Sequence, residues 1–260
     1  MSSSFKNILA GVRFLGSLFF IAGLILGSFY NVVGLRVPEH QSIIHPPSHC
    51  MSCGHRLSAI DLIPVFSYLL SKGRCQYCHS KVPRLYPIVE AATAGLFATS
   101  FYAIGWSSEL FAAGALVSLL VIIFVSDIHY MLIPDKVLMV FAPLFLFLRL
   151  WVAPFDSWWQ PFIGGAVGFI IPFAVAVVSR GNMGGGDIKL FLVLGLILGW
   201  KGVLAAFFLS TAYGGLIGGA ALLVGKIERG KPIPFGPFIV LGTLTAYFFG
   251  DALLRWYFHF

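Results

Sequence analysis

Six uncharged runs, each close to the length of a membrane-crossing helix, leave this chain few ways to fold. Segments 14–35, 91–108, 110–126, 157–179, 202–225 and 232–250 hold no Asp, Glu, Lys or Arg over 17 to 24 residues each. About 20 apolar residues span a bilayer as a helix, and no exposed strand edge or loop is tolerated there. Two shorter segments complete the set. Residues 137–148 continue past Arg149 to Trp151, and that arginine is expected to snorkel to the interface. Residues 190–200 lie between Lys189 and Lys201. A helix over 188–200 would be about 20 Å long against a hydrocarbon core of about 30 Å. The expectation is an all-α polytopic membrane protein with about eight transmembrane helices, the sixth short. A composition that is 58% hydrophobic, with mean hydropathy +0.91, excludes a soluble globular domain. No secretory signal peptide is expected, because the first run is too long and no small-x-small site follows it.

Charge gives that topology a direction. Eight crossings place 12 of the 17 Lys and Arg on one side, among them Arg36, Arg56, Lys72, Arg74, Lys136 and Lys189. The excess marks the cytoplasmic side and puts both termini outside. Asp127, Asp187 and all four cysteines then face the cytoplasm. The net charge of +7 reads as topology plus attraction to the anionic lipid bilayer. No basic patch interleaved with aromatics points to nucleic acid.

One stretch departs from the membrane pattern. From Arg36 to Arg84 the chain turns polar and carries all four cysteines and five of the seven histidines. The expected organisation is residues 1–35 as N-terminal segment and first membrane helix, 36–85 as a small cytoplasmic domain, and 86–260 as the membrane domain that would act. About 50 residues bury too little apolar surface to stand alone, so such a domain needs a staple. Cys50-x-x-Cys53 and Cys75-x-x-Cys78 supply one. Each pair offers two thiolates to one ion, and two pairs complete a tetrahedral four-cysteine zinc site. Disulfides are the alternative, which a reducing cytoplasm disfavours. His49, His55 and His79 are substitute ligands or solvated loop residues.

Chemistry is expected from two acids at the edges of separate apolar segments. Asp127 closes the third run, and Asp187 follows Gly184-Gly185-Gly186 at the start of the short sixth. A charge at bilayer depth costs roughly 2.5–3.5 kcal/mol on insertion scales, so neither is expected without a role. The glycines keep a regular helix from covering Asp187. Two carboxylates sharing a site cannot both ionise easily, and such a pair holds one proton between them. The ionised partner can take a proton from water and the protonated one can give its proton to a peptide carbonyl, the chemistry of an aspartic peptidase acting on membrane-anchored substrates. That cut needs no metal.

Other features carry two readings each. Glu90 is an intramembrane acid with a function or a residue snorkelling at the rim. Lys189 tunes Asp187 or anchors a helix to lipid phosphates, while Asp135 reads as an N-cap of the fourth helix. Gly27 and Asn31, at i and i+4, suit helix packing, with substrate contact the sharper alternative. Ile233-Pro234-Phe235-Gly236-Pro237 breaks a helix or lines a substrate groove. No GxSxG supports a serine peptidase. A transporter or non-catalytic assembly protein would also use broken helices and intramembrane acids, but leaves the four cysteines unexplained.

Taken in order, these motifs resemble the bacterial type IV prepilin peptidases, the aspartic leader peptidases of pilus, type II secretion and competence systems. The resemblance runs through Gly27-Ser28-Phe29-Tyr30-Asn31, Arg36-Val37-Pro38, the CxxC pairs, the block Asp127 to Asp135, Gly184-Gly185-Gly186-Asp187-Ile188-Lys189 and Pro234-Phe235-Gly236-Pro237. It implies that Asp127 and Asp187 are catalytic in a GxGD-type protease of the bacterial inner membrane. It implies as substrates type IV pilin-like or pseudopilin precursors, cut after a glycine of a short basic leader on the cytoplasmic side. It also implies N-methylation of the new terminus with S-adenosylmethionine, involving the cytoplasmic domain. The family often has Gly-Lys before the third cysteine; here it is Gly73-Arg74, which keeps the charge and changes the donor geometry.

Overall fold

The computed structural model describes residues 3–180, 183–225 and 233–258, so Lys226, Arg229 and Lys231, used in the charge count above, lie outside the described residues. The chain divides into two compact units, Met1–Leu110 and Phe111–Phe260.

The first unit is built on α1 (Ser3–Arg36) and α3 (Leu85–Ile104), with the short α2 (Phe66–Leu70) between them. Small residues let the two long helices approach. A Cβ on Gly23 would lie 2.6 Å from the Ala94 Cα, and one on Gly27 would lie 2.9 Å from the Glu90 Cα. One turn further on, Asn31 Nδ2 donates to the Tyr86 carbonyl at 3.3 Å. Close backbone contact capped by a polar bond replaces the hydrophobic drive that helix pairs lack in lipid. The Gly27/Asn31 face therefore serves packing between α1 and α3.

The second unit holds α4 (Glu109–Tyr130) from its third residue on, α5 (Asp135–Phe147), α6 (Gln160–Val178), α7 (Gly185–Leu223) and α8 (Gly236–Phe258). α4 is buried along most of its length, with Leu116, Leu119, Leu120, Ile123 and Val125 fully enclosed. α6 and α7 meet through glycines. A Cβ on Gly164 would overlap the Gly195 carbonyl oxygen, and one on Gly168 would overlap that of Phe191. Gly195→Leu is therefore expected to cost about 1–3 kcal/mol of stability by overpacking, read as a lower unfolding midpoint in detergent; an unchanged midpoint would contradict the contact.

α7 is not one rod. Gly199 has φ 70 and ψ 177, a conformation reserved for glycine, so the helix stops and restarts there. The first half, about 14 residues, rises about 21 Å. The break orphans carbonyls at its end, and Arg149 takes up that of Ile197. Its Nε donates to the Ile197 carbonyl at 2.7 Å and its Nη1 to that of Ala153 at 3.1 Å. The guanidinium also lies 4.4 Å above the Phe155 ring. Arg149 is 4% exposed. The snorkelling expectation is thus corrected: α5 continues into a π-helical turn, Leu148–Val152, which carries the arginine inward to the broken helix.

Five described helices are long and apolar enough to cross a membrane: Gly11–Arg36, Leu85–Ile104, Glu109–Tyr130, Gln160–Val178 and Gly185–Ala221. Gly236–Gly250 is apolar but shorter. The chain is an all-α polytopic membrane protein.

Candidate active site

Asp127 stands in the last turn of α4 and is 5% exposed. Its position follows from the sequence break at Pro234-Phe235-Gly236-Pro237, which starts α8 beside it. Free N–H groups at a helix start need an acceptor, and the positive end of the helix dipole favours a carboxylate. Gly236 N–H donates to Asp127 Oδ2 at 2.7 Å. One carboxylate oxygen is thereby fixed and the other is left for chemistry. A Cβ at Gly236 would lie 2.6 Å from that same Oδ2. Gly236→Ala is expected to push Asp127 aside and to lower kcat for the chain's reaction about 100-fold, the cost of an ångström-scale misplacement. Turnover at the wild-type rate would show that the contact has no catalytic weight.

Asp187 is the third residue of α7 and half-buried. Its Oδ2 folds back over Gly184, where a Cβ would come within 3.0 Å. The two carboxylates are near enough to interact electrostatically. The turn from α4 to α5 is held close to both. Ser126 Oγ donates to the Leu132 carbonyl at 2.5 Å, and a Cβ on Gly186 would touch Ile133 at 3.1 Å. Lys189 Nζ pairs with Asp135 Oδ2 at 2.7 Å. Both ends are more than half exposed, so the pair adds at most about 1 kcal/mol.

Three sequence expectations change here. Asp135 does not cap α5: Pro134 holds the cap position with no side-chain bond, and Asp135 reaches instead for Lys189. Lys189 is engaged by that acid and not by Asp187. Glu90 is an enclosed acid rather than a side chain reaching into solvent. It is 9% exposed, and its Oε2 accepts the Val65 N–H at 2.7 Å. The Gly236 N–H was missed as a partner of Asp127, although a proline–glycine–proline start to an apolar helix is a signal for an exposed helix N-terminus.

In the first unit the two CxxC segments fold alike. Cys50 N–H bonds the His55 carbonyl and Gly54 N–H returns to Cys50; Cys75 N–H bonds Ser80 and His79 N–H returns to Cys75, all at 2.9–3.0 Å. The four sulfurs lie within 4.8 Å of one another, with Cys50 and Cys78 at 3.7 Å. Tetrahedral zinc with bonds of about 2.3 Å sets its sulfurs about 3.8 Å apart, so the cluster fits such an ion. The Cys53 and Ser52 N–H groups, and then the Ser80 hydroxyl, pull the Cys50 thiol down to about 5. That residue is a ready thiolate at neutral pH. Of the histidines, His55 stacks on Tyr77 with ring centroids 3.5 Å apart, and Nδ1 of His49 lies 3.0 Å from the Pro47 carbonyl.

The class these features define is a polytopic membrane protein with two carboxylates near each other and a four-cysteine cluster able to hold a metal ion. Comparison with known proteins gives the family. Residues 21–104 match the Bacterial Peptidase A24 N-terminal domain, and residues 114–219 match the Type IV leader peptidase family. The chain belongs to the type IV leader peptidase family. It is 45% identical over 241 residues to the prepilin leader peptidase/N-methyltransferase of Bacillus subtilis, covering 93% of this chain and 97% of that protein. It is also 30% identical to proteins of that name in Aeromonas hydrophila, at 93% of each chain, and Xanthomonas campestris, at 92% of each. No solved structure matches it.

Proposed function

We propose that this chain, a membrane aspartic peptidase that removes prepilin-type leaders, makes its cut with Asp127 and Asp187. The observation that carries the assignment is their electrostatic proximity, one acid fixed by a helix start and the other set in a glycine turn. The pair holds one proton. Its ionised member takes a proton from a water, whose oxygen attacks the scissile carbonyl. Its protonated member donates to the carbonyl oxygen as the tetrahedral intermediate forms, and a proton then passes to the departing amine as the C–N bond breaks. The Gly236 N–H keeps Asp127 Oδ2 in place throughout. Which acid begins as the base is a property of the pair rather than of either residue.

The relatives are named as N-methyltransferases too, and we extend that second activity to this chain. S-adenosylmethionine would supply the methyl group for the amine that the cut exposes. Cys50, Cys53, Cys75 and Cys78 hold one structural zinc ion that staples residues 36–85, the region we connect with methylation. Residues 1–35 bring in the first crossing and 86–260 carry the peptidase. Support for eight crossings comes from the break at Gly199, which makes two helices of α7, and from α5, its π-helical turn and α8. That count and the excess of basic residues put the acids and cysteines on the cytoplasmic side of the bacterial inner membrane. Pilin or pseudopilin precursors are the substrates, cut after a glycine.

The test is incubation of purified protein in detergent with such a precursor and S-adenosylmethionine, with products weighed by mass spectrometry. The expected product has lost its leader and gained one methyl group. An intact precursor would remove the peptidase reading and return a transporter to consideration.

A further inference from the structure

Gly199 parts α7 into two arms, and each arm supports one of the acids. From Gly199 back to Asp187 the first arm runs twelve residues, about 18 Å of helix. The second arm packs along α8. A Cβ on Gly242 would overlap the Ser210 hydroxyl, Tyr213 and Thr245 share a hydrogen bond of 3.2 Å, and a Cβ on Gly214 would lie 3.1 Å from the Phe235 ring. Phe235 adjoins Gly236, whose N–H fixes Asp127. Asp187 therefore rides on the tip of the first arm. Asp127 is held beside the second, where Gly214 stands fifteen residues, or about 22 Å, beyond the break. The two carboxylates interact where the arms end.

The backbone at Gly199 does not by itself set the angle between the arms. Its φ 70 and ψ 177 lie in a region that only glycine enters freely, and glycine enters several others at little cost. The groups packed around the break must hold it. Arg149 supplies the polar part of that packing. Its bond to the Ile197 carbonyl joins the last turn of the first arm to the π-helical turn, and its bond to the Ala153 carbonyl carries the link into the loop that follows. Its guanidinium covers the Phe155 ring, whose edge lies 3.4 Å from where a Cβ on Gly199 would stand. Gln160 Oε1 lies 3.7 Å from the same point, and a Cβ on Gly164 would come within 2.8 Å of the Gly199 backbone. Arg149 is enclosed, so water does not compete for its bonds.

We propose that Arg149 is a positioning residue for the cut: it fixes the angle between the two arms of α7 and so the separation of Asp127 and Asp187. The proposal rests on the peptidase reading above and adds a residue that stands a helix-length from the acids it places. The arm lengths make the effect large. A turn of about 3° at the break moves the end of an 18 Å arm by about 1 Å. A misplacement of that size is worth about 100-fold in rate.

The test is leader removal from a pilin-like precursor by purified variants, with rates counted per folded molecule. Arg149→Met keeps much of the bulk and loses the donors. It is expected to lower kcat about 10- to 100-fold with KM unchanged. It should also change the spacing between the two limbs of the pH–kcat profile, which reports how strongly the two acids interact. Arg149→Lys keeps the cation and one donor and should recover most of the rate. Phe145→Leu, one turn earlier and fully buried, should lower the unfolding midpoint while kcat per folded molecule and the limb spacing stay at wild-type values. If Arg149→Met yields no folded protein, Gly199→Ala disturbs the same break with the guanidinium in place and must show the same two changes. Wild-type kcat in the variant so measured would overturn the proposal. A fall in kcat with the limb spacing unchanged would reduce Arg149 to a structural residue and overturn it equally. Wild-type protein that cuts nothing would instead fail the peptidase reading, a result separate from both.

Discussion

Replacing either Asp127 or Asp187 by Asn lowers the rate of leader removal by roughly 10²- to 10⁴-fold, the range attached to positioned acid–base groups. Asn has nearly the shape of Asp and cannot carry the shared proton, so the fall should appear in kcat with little change in KM. The geometry makes the two variants differ in one respect. Asp127→Asn retains a side-chain carbonyl oxygen for the Gly236 N–H that Asp127 Oδ2 now accepts, so that variant should keep its unfolding midpoint. The double variant should be no slower than the worse single one, because groups that act as a unit lose their function together. The measurement is initial cleavage rate by mass spectrometry, beside melting curves in detergent. Substantial cleavage by either single variant would sink the dyad. Losing folded protein as well as rate would leave the assignment to Glu substitutions, which keep an ionisable group.

Much of the candidate site was legible in the sequence, for a physical reason. Intramembrane charge is costly, so Asp127 and Asp187 stand out from an apolar background without any structure. The paired cysteines were legible because two CxxC segments present ligands at a spacing dictated by the chain itself. Residues whose role depends on a distant partner were not. Arg149 read as a snorkelling cation because nothing local to it reveals the break at Gly199, 50 residues on, beside which it binds the Ile197 carbonyl. Asp135 obeyed the local rule for a cap and was drawn away by Lys189, which only the approach of α7 supplies. Glu90 gave no sign of Val65, since that contact needs the polar loop to fold back on α3. The crossing count was limited in a different way. Length and hydropathy mark helices able to span and count α7 as one long segment, whereas the charge at Lys201 already divided it in the sequence, two residues from the break that the backbone makes at Gly199.

Loss of the four-cysteine cluster should have the largest effect on stability. Metal binding by small zinc modules is worth an apparent 10–16 kcal/mol at neutral pH and is inseparable from their folding. The stretch 36–84 has little regular structure of its own to hold it: two antiparallel bridges, His49 with Arg56 and Arg74 with Lys81, and the five-residue α2. Of the four cysteines Cys75 is buried. Cys75→Ser, or a strong chelator on the wild type, should take zinc content from one ion per chain to none, and open residues 36–84 to limited proteolysis. The helices of Phe111–Phe260 should resist the same protease, because contacts within that unit hold them: α6 with α7 through facing glycines, and Asp127 with the start of α8. Methylation should disappear with the metal if it depends on this region. Elemental analysis and the digestion pattern decide the matter. Zinc-free wild-type protein with a protected loop would argue for disulfides, which intact mass before and after reduction would reveal. A full equivalent of zinc in Cys75→Ser would place the ion elsewhere and leave the loop held by the Glu90 bond and the α1–α3 seam alone.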